Sequence, residues 1–379
     1  NVERFPHPPP RSAEGLAIWV RWPRPNLQPF NLQLIGLPLG LGYYAVVPPI
    51  RILGAGLSGM ATALLLARAG REVEMFDRRR GGGGRFGGGF QVLENGGRPE
   101  DALAELRRLG FDLRCDVVPL RSAMLLDQDM RRYEVASREP YAYLIRRGQG
   151  PGTVDTWLRE EVEQAGVRIE SGGRSPGWTP DVVATGPRRA DGVARELVFR
   201  TDHPDLIAVL FDSRLTPTGY SYLFVCDGWG TLGAAQVRQV QRLRDNSVAA
   251  FDRLRSTFPM TMEPLGPERV NFMNFGVPRH LRHDGTWYVG EAAGVQDFLF
   301  GLGNRLSLRS AALVAAALSG REWEEAVFRR DLVDPMEASV LGRAGYELAG
   351  PRLTSFACSR LASGDFRDRL IALQRPTWW

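Results

Sequence analysis

The sequence predicts an α/β protein in which a nucleotide-binding domain is assembled from several segments, with a second, β-sheet domain inserted between them and a helical C-terminus. Three observations lead there. From Ile50 a short strand, a glycine turn, a helix and a second strand follow one another, the order of a βαβ unit. Residues 188–288 are rich in β-branched and aromatic runs, the residue types that fit a pleated surface. Beyond about residue 303, Leu and Ala recur at helical spacing and glycines close the segments.

Taken in order, residues 1–48 carry prolines at 6, 8, 9, 10, 23, 25, 29, 38 and 48, which interrupt any helix or central strand. They read as an appended segment expected to pack on the outside of the main domain. Its apolar part, NLQLIGLPLGLGYYAVV, lacks the basic start and small-residue cleavage site of a signal peptide. The strand IRIL, a helix from about Ser58 to Ala69 ended by Gly70, and the strand REVEMFD come next. A glycine-rich loop spans 81–89. The helix PEDALAELRRL follows, with Leu103, Leu106 and Leu109 as its apolar stripe, and short strands run through about Ile145. A helix near 153–165 buries Val154, Trp157, Leu158 and Val162, and VRIES and DVVATG are strand-like. ELVFRT, LIAVLFD and GYSYLFV are strands, a helix is expected around 236–257, and the end is helical, with helices over 303–319 and 321–332 before a tail to Trp379. The resulting boundaries assign 49–115, 146–187 and 286–320 to the nucleotide domain, 116–145 and 188–285 to the substrate domain, and 321–379 to a C-terminal helical region.

Composition narrows the chemistry. All 48 basic residues are arginine, so Schiff-base, P-loop and acid–base mechanisms that need lysine are excluded. The net charge of +5 is too diffuse to imply nucleic acid, and it suits an anionic cofactor or a lipid headgroup surface. Cys115, Cys226 and Cys358 are far apart, which argues against a secreted disulfide framework and for a reducing, cytoplasmic setting. His280 and His283 have no companion ligand at zinc spacing and read as a surface pair, so no metal site is expected. No apolar run approaches the ~20 residues that cross a bilayer; peripheral membrane contact stays open.

Gly54-Ala55-Gly56-Leu57-Ser58-Gly59 fits GxGxxG between a strand and a helix. Gly54 can make the tight turn, Gly56 lets a pyrophosphate approach the backbone, Gly59 allows close helix–strand contact, and the helix N-terminus presents N–H groups. Asp77 ends the second strand, where a carboxylate accepts from ribose hydroxyls and disfavours a 2′-phosphate, so the occupant is FAD or NAD. Arg78, directly after it, leads a basic and glycine-rich segment able to meet a phosphate. A second element, Tyr288-Val289-Gly290-Glu291-Ala292-Ala293-Gly294 followed by Gly301-Leu302-Gly303-Asn304-Arg305 at a helix start, decides for FAD. There Glu291 can meet a ribityl hydroxyl, and helix N–H groups can face a pyrophosphate or the flavin pyrimidine. An NAD dehydrogenase has no use for this second, distant element.

On these residues the chain resembles the FAD-dependent oxidoreductases of the para-hydroxybenzoate hydroxylase-like group. YVGEAAGVQDFLFGLGNRLSLRSAALVAAAL is most similar to the geranylgeranyl reductase and lycopene cyclase-related branch. The resemblance covers about residues 50–320 and implies an FAD-binding Rossmann-like domain. It makes Gly54, Gly56 and Gly59 pyrophosphate contacts, Asp77 the adenosine-ribose ligand, Glu291, in place of the usual aspartate, the ribityl contact beside Gly290 and Gly294, and Gly303 and Asn304 neighbours of the flavin ring. Arg147 matches an FAD-contacting arginine, and Thr185-Gly186 a strand end near the cofactor. Tyr220, Tyr222 and Phe224 match a strand that lines the lipid cavity of geranylgeranyl reductases, with Tyr222 where the family has tryptophan. Gln91, Glu94 and Asn95 can approach flavin or substrate, or cap the turn before Pro99.

The implied activity is reduction of an apolar, isoprenoid-like small molecule by hydride from reduced flavin, with NAD(P)H as a candidate external electron donor. Alternatives are an aromatic monooxygenase, a lycopene cyclase-like reaction, and a flavin-bearing electron-transfer protein without its own substrate. Halogenation is disfavoured, because the resemblance ties it to a WxWxIP element and a catalytic lysine that this chain lacks.

Overall fold

Apolar residues recur without a polar face from Leu57 to Leu66, and a helix of that kind must be enclosed. In the computed structural model, which describes residues 48–79, 82–173 and 176–374, this segment is α1 (Leu57–Arg68), buried along most of its length between two other helices. Residues 1–47, Arg80 and Gly81 lie outside the described residues, and with them the expectation of an appended N-terminal segment.

The strands flanking α1 are β1 (Ile50–Leu53) and β2 (Val73–Asp77). In chain order there follow β3 (Gly87–Glu94), α2 (Ala102–Arg108), β4 (Val117–Leu120), β5 (Ser122–Leu126), β6 (Arg132–Ala136), β7 (Ala142–Gly148), α3 (Val154–Gln164), β8 (Arg168–Ser171) and β9 (Val182–Val183). The second half holds β10 (Gly192–Arg200), β11 (Leu206–Leu210), β12 (Tyr220–Cys226), β13 (Trp229–Gln236), α4 (Leu243–Thr257), β14 (Glu263–Pro264), β15 (Arg269–Met273), β16 (Arg282–His283) and β17 (Thr286–Tyr288). Four helices close the chain: α5 (Asn304–Leu318), α6 (Glu325–Phe328), α7 (Asp334–Ala362) and α8 (Phe366–Gln374).

Three sheets result. In the first, of order β16-β17-β9-β1-β2-β8, all neighbours except β16 and β17 pair parallel. The carboxyl ends of β1, β2, β9 and β17 therefore share one edge, the side on which parallel α/β sheets bind ligands. The second sheet runs β14-β10-β13-β12-β11-β5-β6, with β15 also on β10, and α4 covers one face by packing Phe251 and Leu254 against Leu197, Phe199 and Leu232. The third, β3-β7-β4, lies between two cores. Alternate residues of β7 show it: Tyr143 and Ile145 join the core of the parallel sheet, while Ala142 and Leu144 join the core shared with Tyr222 and Phe224 of β12.

Local chemistry sets the boundaries. Asp101 caps α2 by accepting from the Leu103 and Ala104 amides at 2.9 and 3.2 Å, and Thr153 caps α3 by accepting from Thr156 N; such caps contribute about 1 kcal/mol each. Three expectations shift. The glycine-rich stretch becomes strand at Gly87, because Gly87 and Gly89 run so close under Arg269, Val198 and Thr231 that a Cβ on either would lie within 3 Å of a side-chain atom. The helix expected from 236 starts at Leu243, since β13 holds Gln236 in its ladder with β10 and Gln239 then takes a left-handed conformation. Residues 321–324 are not helical, whereas the tail is, through α7 with a break at Gly350, where φ is 59°.

Candidate active site

Each glycine of the first motif does a different job. Gly54 has φ 110°, and a Cβ there would lie 2.4 Å from the Ala184 carbonyl oxygen, so only glycine lets β9 close on the turn. A Cβ on Gly59 would lie 2.0 Å from the Gly54 carbonyl oxygen, which fixes α1 against β1. Around the Cβ direction of Gly56 nothing lies within 4 Å. The open space at the N-terminus of α1 is a place where a phosphate can meet backbone N–H groups. Asp77 braces the turn, accepting from Ala55 N at 2.6 Å and Arg79 N at 2.7 Å, and keeps further lone pairs. Arg78 is exposed beside it. The glycine loop folds back, with Gly83 N donating to the Ala55 carbonyl at 3.0 Å. Thr185 is exposed and Gly186, at φ 82°, has open space around it, on the same edge.

The second element reaches that edge from β17. Gly290, with φ 59°, packs so tightly on α1 that a Cβ would lie 2.5 Å from Ser58 Oγ, and its amide donates to Ser310 Oγ of α5 at 2.9 Å. Gly294, with φ 76°, lies against Gly276. The Glu291 carboxylate pairs with Arg85, whose guanidinium also donates to the Phe272 carbonyl. Gly303 precedes α5. Asn304 donates to the Val92 carbonyl at 2.9 Å and accepts from Arg147 at 2.5 Å. Arg147 is itself held in a buried, two-pronged pair with Asp155 at 2.8 and 3.0 Å and lies over the Phe86 ring. Its guanidinium thus ties α3 and the start of α5 to one point. The motif residues 54–59, 77, 185–186 and 290–294 all lie where the parallel strands end.

Beyond Asn304 lies the junction of β3 with the second sheet. Gln91 of β3 donates to Glu196 Oε1 at 2.5 Å, and the Tyr222 hydroxyl donates to the same oxygen. Asn271 donates to Glu196 Oε2 at 3.0 Å. Burial pushes the Glu196 carboxyl above the ordinary range, against the lowering effect of these donors and of Arg85. Tyr222 stacks on Phe224 with centroids 4.8 Å apart, and Tyr220 donates to the Phe300 carbonyl at 2.5 Å. Glu94 and Asp297 line a neighbouring cavity with Leu302, Leu306 and Pro335. Desolvation raises Glu94 to about 7 and Asp297 to about 6. Glu94 Oε2 is buried without a hydrogen-bond partner.

Asn95 departs from its expected substrate-facing place. It is fully buried, accepting from Ala102 N at 2.7 Å and donating to the Pro140 carbonyl at 2.6 Å, so its amide secures the start of α2. Sequence reasoning missed Glu196 and Asn271, and it places Arg85 among candidate phosphate contacts, whereas its guanidinium pairs with Glu291. The available signal was Glu196 itself, an acid between Ala194 and Val198 on one face of β10. Among the described residues no group of three His, Cys, Asp or Glu could hold a metal, and no helix is long and apolar enough to cross a membrane.

Comparisons with known proteins agree with this geometry. A model of the NAD(P)-binding Rossmann-like domain matches residues 52–95. No curated protein matches the sequence. Among solved structures, a geranylgeranyl bacteriochlorophyll reductase-like protein from Thermoplasma acidophilum superposes with a TM-score of 0.61 at 14% identity, over 87% of this chain and 96% of that one. The flavin-dependent brominase Bmp2 gives 0.59 at 17% identity over 86% and 92%. A flavoprotein/dehydrogenase from Cytophaga hutchinsonii gives 0.58 at 14% over 87% and 93%. The chain therefore has the fold of FAD-dependent oxidoreductases.

Proposed function

We propose that the protein is an FAD-dependent oxidoreductase that reduces an apolar, isoprenoid-like small molecule by hydride transfer from reduced flavin. The observation that carries the reading is the open space over Gly56, where a Cβ would otherwise stand, flanked by α1, Asp77 and the second glycine element on one edge of the parallel sheet. That shape and donor set fit the extended dinucleotide. Gly54, Gly56 and Gly59 would hold the pyrophosphate, Asp77 and Arg78 the adenosine end, and Gly290, Glu291 and Gly294 the ribityl chain. The start of α5, at Gly303 and Asn304, would face the ring, with Thr185 and Gly186 near it. Arg147 keeps that start in place. When bound, FAD supplies the two-electron chemistry, while this chain binds, orients and excludes water.

In this reading segments 49–115, 146–187 and 286–320 carry the cofactor, and 116–145 with 188–285 carry the substrate. Gln91, Tyr220, Tyr222 and Phe224 would line the substrate side, and the ring contacts among Tyr220, Tyr222 and Phe224 support an apolar substrate. NAD(P)H is the proposed external donor. Loading with FAD, anaerobic reduction and mixing with polyprenyl alkenes tests the reaction: flavin reoxidation by an alkene without oxygen supports reduction. Reoxidation that requires both oxygen and an aromatic compound would replace it with hydroxylation.

A further inference from the structure

Resting on the FAD reading, we propose that Glu196 is the proton reservoir of the redox site. Its carboxyl, shared with Tyr222 on one oxygen and Asn271 on the other, supplies the proton that accompanies hydride transfer. Reduction of a double bond adds a hydride equivalent to one atom and a proton to the other. The hydride would come from reduced flavin, and the proton would leave Glu196 as its O–H bond breaks and the new C–H bond forms at the second atom of the double bond. Water returns the proton to the carboxylate.

Geometry places this acid at the meeting point of the two domains. Glu196 is buried on β10, yet its partners come from three other strands: Gln91 from β3, Tyr222 from β12 and Asn271 from β15. Gln91 adjoins Val92, whose carbonyl binds the first residue of α5. Arg85, the cation acting on Glu196 from the glycine loop, is already paired with Glu291 of the second glycine element. No cation therefore touches the Glu196 carboxyl among the described residues, and its hydrogen-bond donors are all neutral. Tyr220 is the other titratable group that senses it. A buried carboxyl served only by neutral donors favours its protonated form.

The amide of Asn271 marks where the proton sits. Oε1 already receives Gln91 and Tyr222, so a proton belongs on Oε2, which faces Asn271. Asn271 is 5% exposed, and its Oδ1 is buried without a partner. Amide oxygen and nitrogen are interchangeable in shape. In the opposite orientation that orphaned oxygen accepts the Glu196 proton.

The test is the midpoint potential of FAD-loaded protein against pH, for wild type, Glu196→Gln and Tyr222→Phe. A neutral Glu196 resembles glutamine, so wild type and Glu196→Gln coincide at the acid end of the curve and separate as pH rises, where the wild-type carboxyl ionises and lowers the potential. In Tyr222→Phe, which lacks a donor that favours the ionised form, the break moves to higher pH. Infrared difference spectra of the FAD-loaded protein against pH give an independent readout: a carbonyl band of a protonated carboxylic acid that persists in wild type above the pH at which exposed carboxyls have ionised, and is lost in Glu196→Gln. Separation of the potentials already at the acid end, or curves that coincide at every pH, would overturn the proposal. So would a band unchanged in Glu196→Gln. Failure to load FAD at all is a different result, and it refutes the cofactor reading instead.

Discussion

Exchanging two glycines of one motif for alanine, separately, should have opposite consequences. In Gly59→Ala the new Cβ would stand 2.0 Å from the Gly54 carbonyl oxygen and 3.0 Å from Ala184 Cβ, and the first of these is backbone that cannot rotate away. α1 must then retreat from β1, and overpacking of this kind costs roughly 1–3 kcal/mol. In Gly56→Ala the Cβ meets nothing within 4 Å, and the backbone, at φ −87° and ψ −174°, suits alanine. Loss of a good N-cap residue and reduced freedom of the unfolded chain partly cancel there, leaving stability within about 1 kcal/mol of wild type. The variants separate when FAD is added. At a free concentration 100 times Kd, a ligand bound only by the native state stabilises it by about 2.7 kcal/mol. Urea unfolding with and without FAD should show that gain for wild type and its loss for Gly56→Ala, whose methyl fills the space reserved for the pyrophosphate. Full FAD stabilisation of Gly56→Ala, or wild-type stability of Gly59→Ala, would refute the argument.

Other consequences follow from buried charge. Glu105 accepts from both Arg305 and Arg309 with all three side chains at most 5% exposed, so Glu105→Gln should destabilise the fold by about 3–5 kcal/mol in denaturant titrations. Glu94 has its folded pKa raised from 4.5 to about 7, so its neutral form is the favoured one in the fold. Its contribution is complete below pH 4.5 and is lost as pH rises through 7, on the order of 3–4 kcal/mol at about 1.4 kcal/mol per pKa unit. Glu94→Gln should flatten the stability–pH curve over that window, and an unchanged slope would contradict the assignment. Burial holds the thiols of Cys115, Cys226 and Cys358 up at about 12, 11 and 12, so iodoacetamide at pH 8 should modify them in urea and barely in the native protein.

The legible parts of the molecule were those written in short spacing. Gly54, Gly56, Gly59 and Asp77 sit within one βαβ unit, so sequence order alone carries their geometry. The run Gly290–Asn304 was legible for the same reason. Long-range partners were not. Arg85 meets Glu291 across 206 residues, and Glu105 meets Arg305 across 200, pairings that exist only once three sheets and α5 are assembled. Gly87–Gly89 read as loop because glycine is a turn residue by composition, whereas here its missing Cβ lets a strand pass beneath Arg269 and Thr231. Asn95 looked free to approach a ligand because nothing local reveals that Pro140 and Ala102 take up its amide. The helical character expected for 321–379 is seen in the tail through α7 and α8, with a break at Gly350, and Cys358 and Phe366 pack into the third core.

The most direct test is a titration of FAD against the purified, flavin-stripped protein, followed by flavin fluorescence and by the visible absorption of the complex. Saturable uptake of FAD in equimolar amount, weakened severely in Gly56→Ala and unaffected by NADP at comparable concentration, is the predicted result. A protein that stays colourless and leaves FAD fluorescence unchanged would contradict the account at its centre.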